Sequence, residues 1–204
     1  MYGLPSTVAV NQLLPKTAFY QRLSLAASVK DEFVHGIEEL RVIASVKEAT
    51  CGIPASGGVE EISILRIALK TDELPRKALD AIASAVPRKM LMACCHEGRA
   101  CLAVVRDGLR VSERWIAEEQ MNIELRGALL AEVWDGLCAR VLFDDVEVED
   151  VDARMAQEER IAELEAEVIK LKRKYAKEVQ PAKRNAAFRT YKQALAELRA
   201  LKGE

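Results

Sequence analysis

Two apolar stripes on either side of Pro181 constrain the fold more than any other feature of the sequence. In each stripe the apolar residues recur every three or four positions, which is typical of the seam of a helix that packs against another helix. The first stripe consists of Ile161, Leu164, Val168, Leu171 and Tyr175, and the second of Phe188, Tyr191, Leu195, Leu198 and Leu201. Extending the first repeat through Pro181 would put Asn185 and Arg189 in the seam, so one continuous helix is not expected.

The two stripes are mirror images about the proline. When their members are paired outward from Pro181, starting with Tyr175 and Phe188, the residue numbers of every pair add up to 362 or 363. A constant sum is the condition for two antiparallel helices, and proline disfavours helix in the residue before it but suits the first turn of a helix. The sequence therefore predicts an antiparallel helical hairpin, a coiled coil, over residues 153–204, which we call the C-terminal arm.

Charge is distributed unevenly along the arm. Residues 170–189, which we call the tip, contain one acidic and eight basic residues for a net charge of +7, although the whole chain carries −2. The basic residues are Lys170, Lys172, Arg173, Lys174, Lys177, Lys183, Arg184 and Arg189. Like charges on neighbouring helices repel each other, so either solvent screens them or an anionic partner binds them. The sequence leaves both interpretations open.

The residues before the arm mix strand and helix signals. Apolar runs at 42–46 and 62–69 predict two strands, and the second run has the pattern of a central strand that is covered on both faces. Helical spacing assigns Phe33, Ile37 and Leu40 to one face of an early helix. Two later helices are predicted from their apolar faces, one with Leu79, Ile82 and Val86, the other with Leu130, Val133, Trp134, Leu137 and Val141.

Three consecutive segments, 89–96, 101–106 and 109–114, predict an antiparallel meander. Glu97-Gly98 and Asp107-Gly108 are its expected turns, because both central positions of a tight hairpin turn need positive φ. A further strand is predicted from the alternation of Met121, Ile123 and Leu125.

The order of these elements predicts the fold class and the domains. Helices and strands in this order indicate an α+β fold with a mixed sheet, a three-strand meander and packing helices, followed by the C-terminal hairpin. We expect a globular domain over residues 1–143, an acidic linker over 144–152 and the arm over 153–204.

No residue pattern predicts a catalytic site, a cofactor or a metal. Cys94, Cys95, His96 and Cys101 offer zinc-ligand chemistry, but adjacent cysteines on a strand point to opposite faces, so we favour buried small side chains over a metal site. Many metal-dependent nucleases place an Asp or Glu two residues before a lysine. No lysine of this sequence has an acidic residue at that spacing. An enzyme with a different site, using Asp72, Glu73 or Glu97, remains the alternative.

Composition and cysteine number suggest the compartment. No apolar run approaches the roughly 18 residues of a membrane span, so no membrane contact is expected. Five cysteines are an odd number and favour free thiols in a reducing compartment. We expect a cytoplasmic protein.

Several short motifs carry a family resemblance. The chain opens with Tyr2-Gly3-Leu4-Pro5, continues with Leu14-Pro15-Lys16, has a tryptophan-bearing helix at Trp134 and ends in a charged helical segment. In these features it resembles an uncharacterised bacterial family classed as a domain of unknown function. That resemblance implies an accessory role, because such members are often encoded beside DNA methyltransferases and helicases in restriction-modification-like or anti-phage defence cassettes. It implies no catalytic residue.

The leading hypothesis is a non-catalytic accessory subunit whose arm makes protein-protein contacts with a helicase or methyltransferase subunit, or with itself. The alternatives are sequence-independent nucleic-acid (DNA) binding through the basic tip, and a nuclease-like enzyme with an unrecognised site.

Overall fold

The computed structural model describes residues 2–17, 19, 25–86, 88–145 and 150–203. The chain divides into two compact units, Met1–Val148 and Glu149–Glu204. The strands of the described residues are β1 (Ala9–Leu13), β2 (Ile37–Lys47), β3 (Glu61–Leu69), β4 (Lys89–His96), β5 (Arg99–Val105), β6 (Leu109–Val111) and β7 (Ile116–Ala117). Their helices are α1 (Ala27–His35), α2 (Glu48–Cys51), α3 (Arg76–Ser84), α4 (Leu130–Phe143), α5 (Val151–Lys177) and α6 (Pro181–Lys202).

The first unit is built on one mixed sheet. Six strands lie in the order β1-β2-β3-β4-β5-β6, and β7 pairs with β5. The β3–β4 pair is parallel, with α3 in the connection, and the other pairs are antiparallel. The predicted α+β fold with a mixed sheet and C-terminal helices is therefore confirmed.

The meander follows the predicted turn chemistry. Strands β4, β5 and β6 pair in sequence order. Glu97 and Gly98 have φ of 46° and 73°, and Asp107 and Gly108 have φ of 48° and 93°. Both central residues of each turn therefore occupy the left-handed region that a tight hairpin requires.

Most of strand β3 is buried on both faces, as predicted. Leu65 and Ile67 pack in a core with residues of α1 and α3, such as Phe33 and Leu79. On the other face of β3, Ile62 and Ile64 are fully buried, whereas Arg66 and Ala68 are partly exposed. Helix α4 contacts β3, β5 and β6, and its predicted apolar face is buried.

The early helix is shorter than predicted. It ends at His35, and Ile37 and Leu40 are buried residues of β2 rather than of the helix. Gly36 explains the break, because a Cβ there would lie 2.7 Å from the carbonyl oxygen of Glu32 and 2.9 Å from Cβ of Pro75. A side chain at this position would obstruct the tight passage from helix to strand.

The prediction of a strand from Met121, Ile123 and Leu125 was wrong. No strand includes these residues, and the last strand of the described chain is β7. Met121 and Ile123 are buried, and the Ile123 amide donates to the carbonyl oxygen of Tyr2 at 2.8 Å. Their alternation therefore reflects one-sided packing of an extended segment without a sheet partner.

Strand β1 forms one edge of the sheet, and all five of its residues are exposed. Its register with β2 is interrupted between Ala9 and Gln12, where Asn11 has φ of 55°. The edge is therefore bulged rather than straight.

The predicted domain bounds of 1–143, 144–152 and 153–204 stay a prediction. Residues 146–149 of the expected acidic linker lie outside the described residues. Of the rest, Asp144 adopts the left-handed conformation at the end of α4, and Asp150 caps α5 by accepting from the Ala153 amide at 2.8 Å. Among the described helices, none is long and apolar enough to cross a membrane.

Candidate interaction surface

Local sequence signals set the ends of the two C-terminal helices. The Asp150 side chain caps the start of α5, and Pro181 occupies the first turn of α6, where its missing amide hydrogen is not needed. Gly203 ends α6 in the left-handed conformation with φ of 73°. These signals position long helices whose side chains can contact each other.

Several contacts join α5 to α6. Arg160 pairs with Glu197 at 2.6 Å, and the Lys202 ammonium pairs with the Glu165 carboxylate at 2.5 Å. Gln157 donates through Nε2 to the carbonyl oxygen of Leu201 at 3.0 Å. Solvent screens exposed ion pairs of this kind, so they align the helices more than they stabilise them.

The residues of the predicted seam differ in burial. Leu164 and Leu198 are buried, whereas Phe188 is 38% exposed. The remaining predicted seam residues are half-buried, namely Ile161, Val168, Leu171, Tyr175, Tyr191, Leu195 and Leu201. Ala194 is also buried and is one residue from Leu195. Ala194 belongs to a second, weaker stripe of small apolar residues that the sequence shows beside the main seam.

The eight basic residues of the tip are all exposed. None of them forms an ion pair with another residue that the structure describes. Nearer the helix ends that lie away from the tip, by contrast, Arg154, Arg160 and Lys202 pair with glutamates. The tip is therefore a cationic surface without acidic partners among the described residues, whereas three of the five cations elsewhere in the arm pair with glutamates.

Aromatic rings lie among the tip residues. The Tyr175 and Phe188 ring centroids are 5.1 Å apart, and those of Phe188 and Tyr191 are 6.3 Å apart. The Arg184 guanidinium lies 5.3 Å from the centre of the Tyr175 ring. These rings pack against each other, and Phe188 keeps part of its surface exposed.

A second polar cluster in the first unit was missed by the sequence analysis. Arg66 of β3 donates through Nε and Nη2 to the two carboxylate oxygens of Glu118, at 2.7 Å and 3.0 Å. The Tyr2 hydroxyl donates to Glu118 Oε1 at 2.6 Å and lies 3.4 Å from Sγ of Cys95 on β4. Four residues from distant parts of the chain thus meet on one face of the sheet.

Electrostatics in this cluster favour a stable contact over reactivity. The hydrogen bonds from Arg66 lower the pKa of Glu118 to about 2. Burial raises the pKa of Cys95 to about 11 and raises the pKa of the Tyr2 hydroxyl above its ordinary value. At neutral pH the Cys95 thiol is protonated, and a protonated thiol is a poor nucleophile.

The only sequence signal for this cluster was the opening motif. Gly3 follows Tyr2 with φ of 72°, and a Cβ on Gly3 would lie 1.9 Å from Oδ1 of Asn122. Glycine is therefore required for the N-terminal segment to lie against the segment around Asn122, which brings Tyr2 to Glu118.

An open cavity of about 550 Å3 adjoins Arg66. Its charged lining combines Lys16 with Glu38 and Glu39, and its apolar lining comes from β1 and the two residues after it, from β2 and from β3. The Lys16 ammonium is already engaged, because it donates to the carbonyl oxygen of Ile37 at 2.7 Å. The cavity has no single charge sign that would select a ligand.

The cysteines lie where the strand prediction places them. Cys94 packs in the core with Cys101, its cross-strand neighbour, whereas Cys95 points to the Tyr2 side of the sheet. In the part of the chain that the structure describes, no group of three or more His, Cys, Asp or Glu side chains could hold a metal ion. Asp72, Glu73 and Glu97, considered as catalytic candidates, are all exposed.

Comparison with known proteins gives a family match. The family model described as Domain of unknown function (DUF4391) matches residues 2–198. No curated protein and no solved structure matches the chain. The expected resemblance to a family of unknown function is confirmed.

Proposed function

Since the chain belongs to the DUF4391 family of domains of unknown function, we propose a function from its geometry: a non-catalytic interaction subunit that binds a partner protein through the C-terminal arm. In this proposal the arm is the predicted antiparallel hairpin, and the tip is its contact surface. The first unit supplies the folded base of the chain.

The contacts between α5 and α6 support the hairpin. Gln157, Arg160 and Tyr175 follow one another along α5. Their partners on α6 are Leu201, Glu197 and Phe188, whose residue numbers decrease in the same order. Opposite directions of this kind are the pattern of antiparallel neighbours. The buried Leu164 and Leu198 supply its apolar centre.

The observation that carries the proposal is the contrast in charge pairing along the arm. Eight exposed cations at the tip have no acidic partner in the described chain, although glutamates neutralise cations elsewhere in the same two helices. Repulsion among clustered like charges costs stability at low ionic strength. An acidic surface on a partner would remove that cost and gain directional contacts from the arginines.

We place the partner among the helicase or methyltransferase subunits of a bacterial restriction-modification-like or anti-phage defence system. This part of the proposal follows from the family resemblance set out above. It gives the protein an accessory role that needs no catalytic group of its own.

The test is a pull-down of such subunits with the intact chain. A variant with Lys172→Glu and Lys177→Glu should lose the partner, because the attraction at the tip becomes repulsion. The matched control, Lys30→Glu with Lys47→Glu, makes the same charge change at exposed positions of the first unit and should retain the partner. Equal capture by the tip variant and the control would refute a role for the tip.

Nucleic-acid binding through the tip is the second candidate, favoured by the aromatic rings among its cations. Arg184 above the Tyr175 ring and the partly exposed Phe188 resemble the mixture of charge and stacking surface that holds nucleic-acid strands. Fluorescence anisotropy with a labelled oligonucleotide would test it. The logarithm of affinity should fall linearly with the logarithm of salt concentration, with a slope of about −0.9 for each phosphate neutralised on a duplex. No binding at low salt would exclude this candidate.

A further inference from the structure

One side of the arm presents large apolar side chains that the contacts within the arm leave partly uncovered. Ile169 of α5 is 52% exposed, Phe188 of α6 is 38% exposed, and Leu195 is half-buried. Large apolar side chains are usually covered when they cluster on one face. We call this surface, formed by Ala162, Ile169, Ala176, Phe188 and Leu195, the lateral face.

Contacts between the helices place these residues on the same side. Phe188, Leu195 and Lys202 recur every seven residues and so follow one line along α6. Lys202 contacts Glu165 of α5, and Glu165 neighbours both Ala162 and Ile169 on the helix surface, three and four residues away. The apolar line of α5 therefore runs beside the apolar line of α6.

On the opposite side of the arm, the two lines of residues that contact each other are polar. The contact between Arg160 and Glu197 marks this side. Residues at seven-residue intervals from this pair are Glu167 and Lys174 on α5, and Thr190 and Lys183 on α6. Simple helix propensity does not require such a difference between the two sides, whereas a second interface does.

Charge complementarity identifies what covers the lateral face. The tip carries +7, whereas residues 150–169, the start of α5 with its capping residue, carry −5 and residues 190–203 carry +2. A second copy lying antiparallel would put each tip beside the acidic part of the other copy. A parallel copy would put +7 against +7 at the 8–10 Å spacing of packed helices, which is about one Debye length at physiological salt.

We propose that the lateral face docks on the lateral face of a second copy of this chain, forming an antiparallel four-helix assembly. The inference rests on the proposed function, since it specifies a partner of the same arm. With Ile169 facing its counterpart at the two-fold axis, Ala162 lies opposite Ala176 and Glu165 lies opposite Arg173. The tip cations thereby gain the acidic partners that they lack among the described residues of one chain.

Sedimentation equilibrium of the intact chain tests the assembly. Wild-type protein should dimerise in a concentration-dependent manner. Ile169→Lys should raise the dimer dissociation constant by about 100-fold or more, because two ammonium groups would meet at the centre of the apolar interface. Thr190→Lys, the same charge on the polar side, is the control and should leave the constant unchanged. A monomeric wild type, or equal effects of the two variants, would overturn the proposal.

Folding of the variants can be checked independently. Because Ile169 is half exposed, its replacement should leave the helical circular dichroism of the chain intact. If the Ile169 replacement does alter the circular dichroism, Ala162→Lys, at an exposed position of the lateral face, provides the test of dimerisation instead. It should weaken the dimer relative to Thr190→Lys, and an unaltered dimer would overturn the proposal.

Disulfide cross-linking tests the orientation. A mixture of Ala162→Cys and Ala176→Cys proteins should form a cross-linked dimer on oxidation, in excess of the background from the native cysteines in wild-type protein. Either variant alone should stay at that background, and cross-linking of each variant with itself would indicate parallel packing and overturn the proposal.

The outcome is separable from that of the partner pull-down. A monomer whose tip still captures another protein refutes self-association but keeps the proposed function. A dimer that depends on Ile169 but captures no partner supports self-association and refutes the partner-protein role.

Discussion

Replacing Glu118 by glutamine should remove a charged anchor that holds the N-terminal segment to the sheet. The carboxylate accepts three hydrogen bonds, two from Arg66 and one from Tyr2. Glutamine preserves the side-chain shape but removes the charge and turns one acceptor oxygen into a donor amide. The Arg66 side chain, only 25% exposed, then keeps only its weaker electrostatic interaction with the Glu39 carboxylate.

The pKa of Glu118 sets the magnitude and the pH range of the effect. The pKa is about 2 in the folded chain and 4.5 ordinarily, so the stabilisation is present above pH 4.5 and is lost as the pH falls towards 2. Each pKa unit is worth about 1.4 kcal/mol, which gives about 3 kcal/mol as an upper limit. Because the Glu118 side chain is 21% exposed, solvent screening reduces this to about 1–2 kcal/mol.

Urea unfolding at two pH values is the assay. Glu118→Gln should lower the free energy of unfolding by about 1–2 kcal/mol near pH 7, and the gap to wild type should shrink by more than half near pH 3. Glu119→Gln, at an exposed neighbouring position, should show no comparable gap. If wild type and Glu118→Gln differ in free energy of unfolding by the same amount at both pH values, the carboxylate charge does not stabilise the fold.

Three further predictions concern glycine geometry, thiol reactivity and helix packing. Gly3→Ala should cost more free energy of unfolding than Gly52→Ala by chemical denaturation, because both have φ of 72° but only Gly3 faces a side chain at its Cβ position; equal losses would contradict the close approach. Cys51 should react first with a thiol reagent at neutral pH, since it is half-buried while Cys95 is buried with a pKa of about 11; peptide mapping that finds Cys95 modified first would contradict this. Leu164→Ala should lower the free energy of unfolding by about 2–4 kcal/mol, because Leu164 is 1% exposed. Thermal unfolding followed by helical circular dichroism should show the loss of signal at a lower temperature. An unaffected signal would show that the two helices do not depend on this contact.

Features set by neighbouring residues could be predicted from the sequence. The Asp107-Gly108 turn depends on the conformational preference of two adjacent residues, and the strands it joins were predicted as the segments that flank this turn. The start of α6 at Pro181 likewise follows from the geometry of the proline ring. Such signals act over a few residues and are therefore visible without a structure.

Features that depend on contacts between distant residues could not be predicted from the sequence. Tyr2 and Glu118 are 116 positions apart, and neither residue stands in a motif that names the other. The assignment of Ile37 and Leu40 to a helix failed because a spacing of three residues in an irregular strand imitates a helical face. The exposure of the tip cations needed coordinates, although their number and clustering were evident beforehand.

The bulge at Asn11 also bears on how the protein behaves when concentrated. A straight, fully exposed outer strand would offer a regular row of backbone donors and acceptors to any other chain, which is a common route to aggregation. The left-handed conformation of Asn11 interrupts that row. Two molecules meeting along this border would find their peptide groups out of step, so crowding should favour contacts through side chains over growth of a continuous intermolecular ribbon.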